Sequence, residues 1–474
     1  MSSRQGFHAR RWWEGILPKR YHVPIVPAPA RFRPVGKYGT VDWREDCSRC
    51  KNCVKLQCVY GVYRAEYAYN SDPSSPMEPL YDCRACLSCI QGCTKGLLSL
   101  SVNPEYLTLG DGYWRPDMIA ATWEQAETGR IPVSGAGYRG PFAGPGFDSI
   151  WTDMSEIVRP TRDGIHGREY ISTSVDIGAK PTHLVFGPNG ELPKTEPLLE
   201  VPIPILLDLP PWASPGGAIL NARIAAAGSL GTLCIVRANE AVAAAPVHAS
   251  SLVPLFEGPE FAEHESLLQR VRMVELADGP DTLSHSEQLR TINPDLVVCA
   301  RLRLDPGATE RVWALYRGGL KVVHLCADTH GREFAERPRF MKDVLREIHG
   351  RLVAEGARDE VTLIASGGIA LAEHVAKAVV CGADLVAVGL PLMVALGCRV
   401  CSAGHNGSCP ADIQSVDASY AAQRMVNLMG AWHSQLIEVL GAMGIREVRR
   451  LRGEVGRAMF QEDLEREAFG DLGG

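Results

Sequence analysis

Eight of the fifteen cysteines fall in two runs, Cys47, Cys50, Cys53 and Cys58, then Cys83, Cys86, Cys89 and Cys93. Each run reads C-x2-C-x2-C, with a fourth cysteine four or five positions on. Three thiolates at that step can wrap one face of an iron–sulfur cubane, and the fourth ligand comes from the opposite run. The spacing therefore predicts two [4Fe-4S] clusters. One would sit on Cys47, Cys50, Cys53 and Cys93, the other on Cys83, Cys86, Cys89 and Cys58. Structural zinc is the rival, because C-x2-C pairs can supply four ligands, but a third cysteine at the next step fits zinc poorly. Disulfides would need an oxidising compartment, and no signal peptide precedes the runs.

This is the spacing of a two-cluster ferredoxin, with two departures. Four residues precede the last cysteine of the first run where three are usual, and Val59 and Thr94 stand where proline follows the final cysteine. Both departures bear on cluster potential rather than on whether a cluster binds.

A second locus lies far downstream. Val361 to Ile369 reads as an apolar strand closing on Ser366-Gly367-Gly368-Ile369, and Gly382 to Gly389 as another closing on Val388-Gly389. Paired strand ends of this kind let backbone N–H groups approach a phosphate, with a helix N-terminus adding its positive end. A phosphorylated cofactor is implied, FMN first. The alternative is two glycine turns with nothing bound. Directly behind follow Cys398, Cys401 and Cys409, the last beside Pro410. Three thiols in twelve residues suggest a third iron–sulfur site near the flavin. It would be [3Fe-4S], or [4Fe-4S] if His405 supplies a fourth ligand. Cys234, Cys299, Cys326 and Cys381 fall on strands or a helix end and read as core residues.

The elements that must position these groups follow from periodicity. Short apolar runs are expected as strands at 203–207, 232–236, 271–276, 296–300, 321–326, 361–365 and 385–388, alternating with helices that include 218–227, 339–354 and 371–380. Continuous apolar strands between helices mean a parallel sheet covered on both faces. Seven such strands predict a (β/α)8 barrel with one strand unrecognised, and a doubly wound sheet is the runner-up. No G-x-G-x-x-G follows a strand, so a Rossmann site has no support. A hairpin, 182–186 to 191–194 through Asn189-Gly190, should plug the barrel's N-terminal end.

The chain then divides into a basic extended arm (1–39), a ferredoxin-like module (40–105), an ordered connector with a helix near 117–128 (106–180), the barrel with its cysteine loop (181–415), and helices from 416 to the end. The arm carries Trp12, Trp13 and eight basic residues against Glu14. It reads as a strap around its own ferredoxin module or as a docking element for a partner subunit. Formal net charge is −6 over 474 residues, which gives no case for nucleic acid. Apolar runs are too short for a membrane span. Clustered, otherwise unpaired cysteines indicate a reducing cytoplasm.

The segment from Ser366 to Cys398, with Cys409-Pro410 behind it, resembles the FMN-binding domain of the glutamate synthase family, whose archaeal-type members carry a ferredoxin module in the same chain. The resemblance spans about 180–460. It implies an FMN barrel and a [3Fe-4S] loop, and an oxidoreductase that makes glutamate from 2-oxoglutarate and glutamine-derived ammonia. By that match Gly367, Gly368 and Gly389 hold the FMN phosphate, and Cys398 and Cys409 are the outer cluster ligands. Cys401 or His405 replaces the family's middle cysteine, because Gly404 stands there. Arg301 takes the place of a lysine. Asp328-Thr329-His330-Gly331-Arg332 replaces a glycine-rich substrate loop, which makes Arg301, Asp328 and His330 the catalytic candidates. The family's other glycine loop is reduced to Ala238-Asn239-Glu240-Ala241. An ion pair between Arg301 and Asp328 is the alternative to a flavin-tuning role. No amidotransferase segment is recognisable, and Met1 is followed by Ser2, so ammonia would come from a separate subunit. The partners implied are redox or amidotransferase subunits and a ferredoxin-like donor. The other reading is an electron-transfer and scaffold subunit with no glutamate synthesis of its own, or a flavin reductase with a different substrate.

Overall fold

The computed structural model describes residues 21–470, except 33, 44–45, 49, 51, 60, 62–85, 132–142, 153–170, 181–185, 192–195, 213–215 and 402–410. Eight parallel strands close into a barrel: β1 (Ile205–Leu207), β2 (Cys234–Arg237), β3 (Leu252–Phe256), β4 (Met273–Ala277), β5 (Val297–Arg303), β6 (Val322–Cys326), β7 (Thr362–Ser366) and β8 (Leu385–Val388). Each runs next to its sequence neighbour, and β8 closes on β1. The fold is a (β/α)8 barrel.

β3 is the strand that periodicity alone does not disclose. Pro254 at its centre donates no ladder hydrogen bond, and such a residue argues against a central strand. Its neighbours Val253 and Leu255 are buried all the same.

Residues along each strand alternate between the barrel axis and the helices. Leu206, Ile235, Val253, Met273, Val297, Val322, Ile364 and Leu385 fill the interior. The N-terminal mouth is closed by a hairpin, but its strands are Val175–Gly178 and Leu198–Val201, further out than expected. Val175, Ile177, Leu199 and Val201 join the interior cluster, and Thr362 Oγ1 bonds both the amide and the carbonyl of Gly178. The turn at Asn189-Gly190 forms, with Gly187 and Glu191 bonded across it; the strand segments 182–185 and 192–194 lie outside the described residues.

The helix Ala418–Ala442, capped by Asp417 on the Tyr420 amide, packs on Gly216–Leu230, Pro116–Thr128 and Ala372–Val380. Its Arg424 is fully buried and donates to the carbonyls of Ala28, Trp123 and Ala395. Asn427 bonds Val26 in both directions. Residues 21–32 of the basic arm therefore lie along this helix, not around the cysteine module. Residues 1–20, with Trp12 and Trp13, lie outside the described residues.

The last segment corrects the expectation of continuous helix. Residues 446–469 form two short 3-10 turns, a strand Ala458–Phe460 paired with Ile150–Thr152, and a helix only over Gln461–Phe469. Gly444 and Gly453, both with positive φ, break what the charged composition favours. Near the N-terminus, Tyr38–Trp43 pairs antiparallel with Leu98–Val102. No helix among the described residues is long and apolar enough to cross a membrane.

Candidate active site

The C-terminal ends of the strands enclose a cavity of about 240 Å³, far larger than a water. Arg301, Asp328, Ser366, Gly367, Gly368, Ile369, Val388 and Gly389 all line it. His330 does not. Its Nε2 bonds Asp111 at 2.9 Å, and its ring lies 5.8 Å from that of Tyr113.

The glycines are demanded by backbone packing. Gly367 and Gly368 have φ of 98° and 68°. A Cβ on Gly367 would lie 2.5 Å from the Asp328 carbonyl oxygen, and one on Gly368 2.5 Å from Gly331 Cα. On Gly389 it would lie 2.1 Å from the Leu209 carbonyl oxygen. Among the described residues, the amides of Gly368 and Ile369 have no acceptor. The connector holds this loop from behind: the Tyr113 hydroxyl donates to the Gly368 carbonyl at 2.6 Å. His374 accepts from the Ala370 amide and meets Asp148 at 2.8 Å. Asp328 orders its own loop, its carboxylate accepting from the amides of His330 and Arg332.

Arg301 does not pair with Asp328. Its guanidinium takes Asp208 through two bonds of 3.0 Å and Glu275 at 2.9 Å. Glu275 also meets His324 Nδ1 at 2.7 Å. Strand register explains the grouping: Arg301 stands beside His324 on β6, and Cys299, two residues earlier, beside Glu275 on β4. Burial alone would raise Asp208; Arg301 and then His324 outweigh it and hold the carboxyl at about 2. Burial alone would lower His324; the Cys326 sulfur and the Glu275 carboxylate outweigh it and push the imidazole up to about 10. Asp208, Glu275 and His324 escape a motif search. Their signal is a charged residue at an inward position of an otherwise apolar strand or at its end. Cys326, expected in the core, lines the cavity.

Cys53, Cys58 and Cys89 are buried with Leu98, and Cys93 packs beside them. Cys93 Sγ accepts from the Leu97 amide at 3.4 Å, and the amides of Leu97 and Lys95 pull its thiol below the ordinary range. Cys47 is half-buried, Cys50 and Cys86 are exposed, and Cys83 lies outside the described residues. Cys398 is buried and accepts from the Val400 amide at 3.4 Å, and Cys401 is half-buried nearby. Cys409 and His405 lie outside the described residues. Among the described residues no three His, Cys, Asp or Glu side chains converge in metal-binding geometry.

Residues 338–446, from the loop before β7 through the cysteine loop into the long helix, match the family model "Conserved region in glutamate synthase". The chain is similar to that family over this region. Over most of its length it is also similar to archaeal-type glutamate synthases (NADPH). It is 24% identical to that of Dehalococcoides mccartyi, covering 87% of this chain and 93% of the relative. It is 26% identical to the archaeal glutamate synthase of Methanocaldococcus jannaschii, covering 87% and 92%. Among solved structures, a lactate oxidase of Pediococcus acidilactici is 17% identical, covering 70% of this chain and 92% of its own, with a TM-score of 0.39.

Proposed function

We propose that the chain is an iron–sulfur flavoprotein oxidoreductase of the glutamate synthase kind, passing electrons between ferredoxin-type clusters and FMN. The carrying observation is the similarity to archaeal-type glutamate synthases over 87% of the chain. The residues fit both groups. The amides of Gly368 and Ile369, without an acceptor among the described residues and on a loop that admits no side chain at 367 or 368, suit a phosphate. Amide-to-sulfur bonds at Cys93 and Cys398 suit thiolate ligands, whose potential such bonds tune. FMN, when bound, exchanges two electrons as hydride and one at a time with clusters. Arg301 stays charged at every working pH, so it orients and stabilises charge and transfers no proton. Trp114 and the Asp328 loop wall the cavity off from the connector side.

In its simplest form the activity is reductive amination of 2-oxoglutarate, with ammonia from a separate amidotransferase subunit and electrons from a ferredoxin-like donor. The second reading, an electron-transfer subunit without glutamate synthesis, is favoured by the substrate-side groups. Arg301 is occupied by two carboxylates, Asp328 by its own loop and His330 by Asp111. One experiment separates them. Purified anaerobic protein, reduced through its clusters, is mixed with 2-oxoglutarate and ammonia. Reoxidation with glutamate formed supports the first reading. No reoxidation, with electron exchange to a ferredoxin intact, supports the second.

A further inference from the structure

His324 and Cys326 stand two residues apart on β6 and so share its inward face. The His324 ring is fully buried. Its Nδ1 is held by Glu275 at 2.7 Å, while its Nε2 has no hydrogen-bond partner, an expensive state for a polar atom away from water. That nitrogen lies 4.0 Å from Asp208 Oδ2, and Asp208 and Cys326 both line the cavity. The charged groups around it are Glu275 from β4, Arg301 from β5 and Asp208 beyond β1. Cys299 is a useful contrast. It is fully buried one strand away, it does not line this cavity, and burial followed by the Glu275 charge pushes its thiol well above the ordinary range.

A carboxylate on one side of an imidazole, with a sulfur on the same strand face whose charge raises the ring, is an arrangement that keeps the proton off a nucleophile. We infer that Cys326 is a nucleophilic sulfur, held as the ion-pair partner of the His324 imidazolium, that adds reversibly to the carbonyl carbon of a small 2-oxo acid in the cavity, with His324 as the proton donor and Glu275 holding the ring. The sulfur–carbon bond forms as the C=O π pair moves onto oxygen. The Nε2 proton of the imidazolium passes to that oxygen, leaving the ring neutral until the step reverses. The product is a thiohemiacetal or thiohemiketal; nothing is oxidised or reduced, and the step reverses by the same path. Arg237, at the end of β2, lines the same cavity and supplies a cation for the ligand's carboxylate. The assignment stands on the cavity wall and is independent of the electron-transfer reading.

The test uses the full chain as purified. Iodoacetamide is applied at pH 6.5 and the modified peptides are mapped by mass spectrometry. Cys326 should be alkylated at least about tenfold faster than glutathione in the same solution. Millimolar glyoxylate should slow that alkylation and acetate should not. A rate at or below that of glutathione overturns the proposal, as does equal reactivity with and without glyoxylate. Glyoxylate labelled with 13C at the carbonyl should also give a bound tetrahedral-carbon resonance in the wild type and none in a Cys326→Ser protein whose circular dichroism matches the wild type. The same resonance in both proteins overturns it equally.

Discussion

Arg301 meets Asp208 through two parallel hydrogen bonds of 3.0 Å each at the C-terminal mouth of the barrel. Both side chains are mostly withdrawn from solvent. Removing one charge of a buried pair costs about 3–5 kcal/mol when its partner is left alone, and Glu275 at 2.9 Å from Arg301 keeps the cost of losing Asp208 below that figure. Asp208→Asn should lower the melting temperature clearly. Asp328→Asn, which only weakens a loop turn, should change it far less. Equal losses in the two variants would show that the Arg301–Asp208 pair is not what holds this end together.

The same geometry bears on the flavin. Arg301→Gln removes a positive charge and leaves Asp208 and Glu275 beside the cavity. An anionic reduced flavin is then disfavoured, so the two-electron potential should fall while FMN stays bound. Spectroelectrochemistry reads it directly. An unchanged potential would assign Arg301 to neutralising the two carboxylates alone.

His324 gives the barrel an alkaline limit. Its folded value, about 10, lies above the ordinary imidazole value. A raised base contributes stability that is fully present below about pH 6.5 and is lost as pH rises through its folded value. Denaturant midpoints should therefore decline between about pH 7 and 10, and His324→Gln should flatten that slope. Asp208, held at about 2, works in the other direction. Its contribution is complete above about pH 4 and is lost on acidification toward 2. A wild-type slope unaltered by His324→Gln would count against the imidazolium.

The barrel was legible because seven of its strands are apolar runs bounded by turn residues, and periodicity is a local property. What escaped is set by contacts between strands. Glu275 sits in Met-Val-Glu-Leu-Ala and His324 in Val-Val-His-Leu-Cys, and neither sequence names its partner. Closure of the sheet puts them 2.7 Å apart. Cys326 looked like a core thiol because a strand end does not reveal whether a cavity opens above it. The charged tail read as helix from composition, while the pairing of Ala458–Phe460 with Ile150–Thr152 is a long-range event. The cysteine runs, the glycine strand ends and Arg301 were visible as types at a spacing, which is all that ligand chemistry requires.

The glycine loop can be tested by a single methyl group. At Gly367 a Cβ would press on the Asp328 carbonyl and force an alanine to φ of 98°. Such strain is of order 1–3 kcal/mol. Gly367→Ala should displace the loop that presents the Gly368 and Ile369 amides. It should purify with less flavin than wild type while circular dichroism stays unchanged. Full flavin occupancy in a folded Gly367→Ala protein would move the phosphate site elsewhere.

The cluster assignment has the widest consequences. Eight thiols at cubane spacing predict about 8 iron per chain from the N-terminal module, and Cys50→Ser/Cys86→Ser should lose most of it. Zinc in place of iron would overturn that assignment. The third site is the sharper question, because Cys398 and Cys401 follow immediately on the helix Leu390–Ala395, which leads directly out of the flavin-side strand β8. A second link ties this loop to the cysteine module. The Gly110 amide donates to the Arg399 carbonyl at 2.8 Å, and Arg399 pairs with Glu105, just beyond Val102, at 2.9 Å. A cluster held here would stand between the N-terminal pair and the flavin, and every electron would cross it. Cys401→Ser should then retain FMN and the two N-terminal clusters yet pass no electrons between them, which stopped-flow reduction from a ferredoxin donor measures. Flavin reduction at the wild-type rate in that variant would take Cys401, and any cluster it holds, off the path.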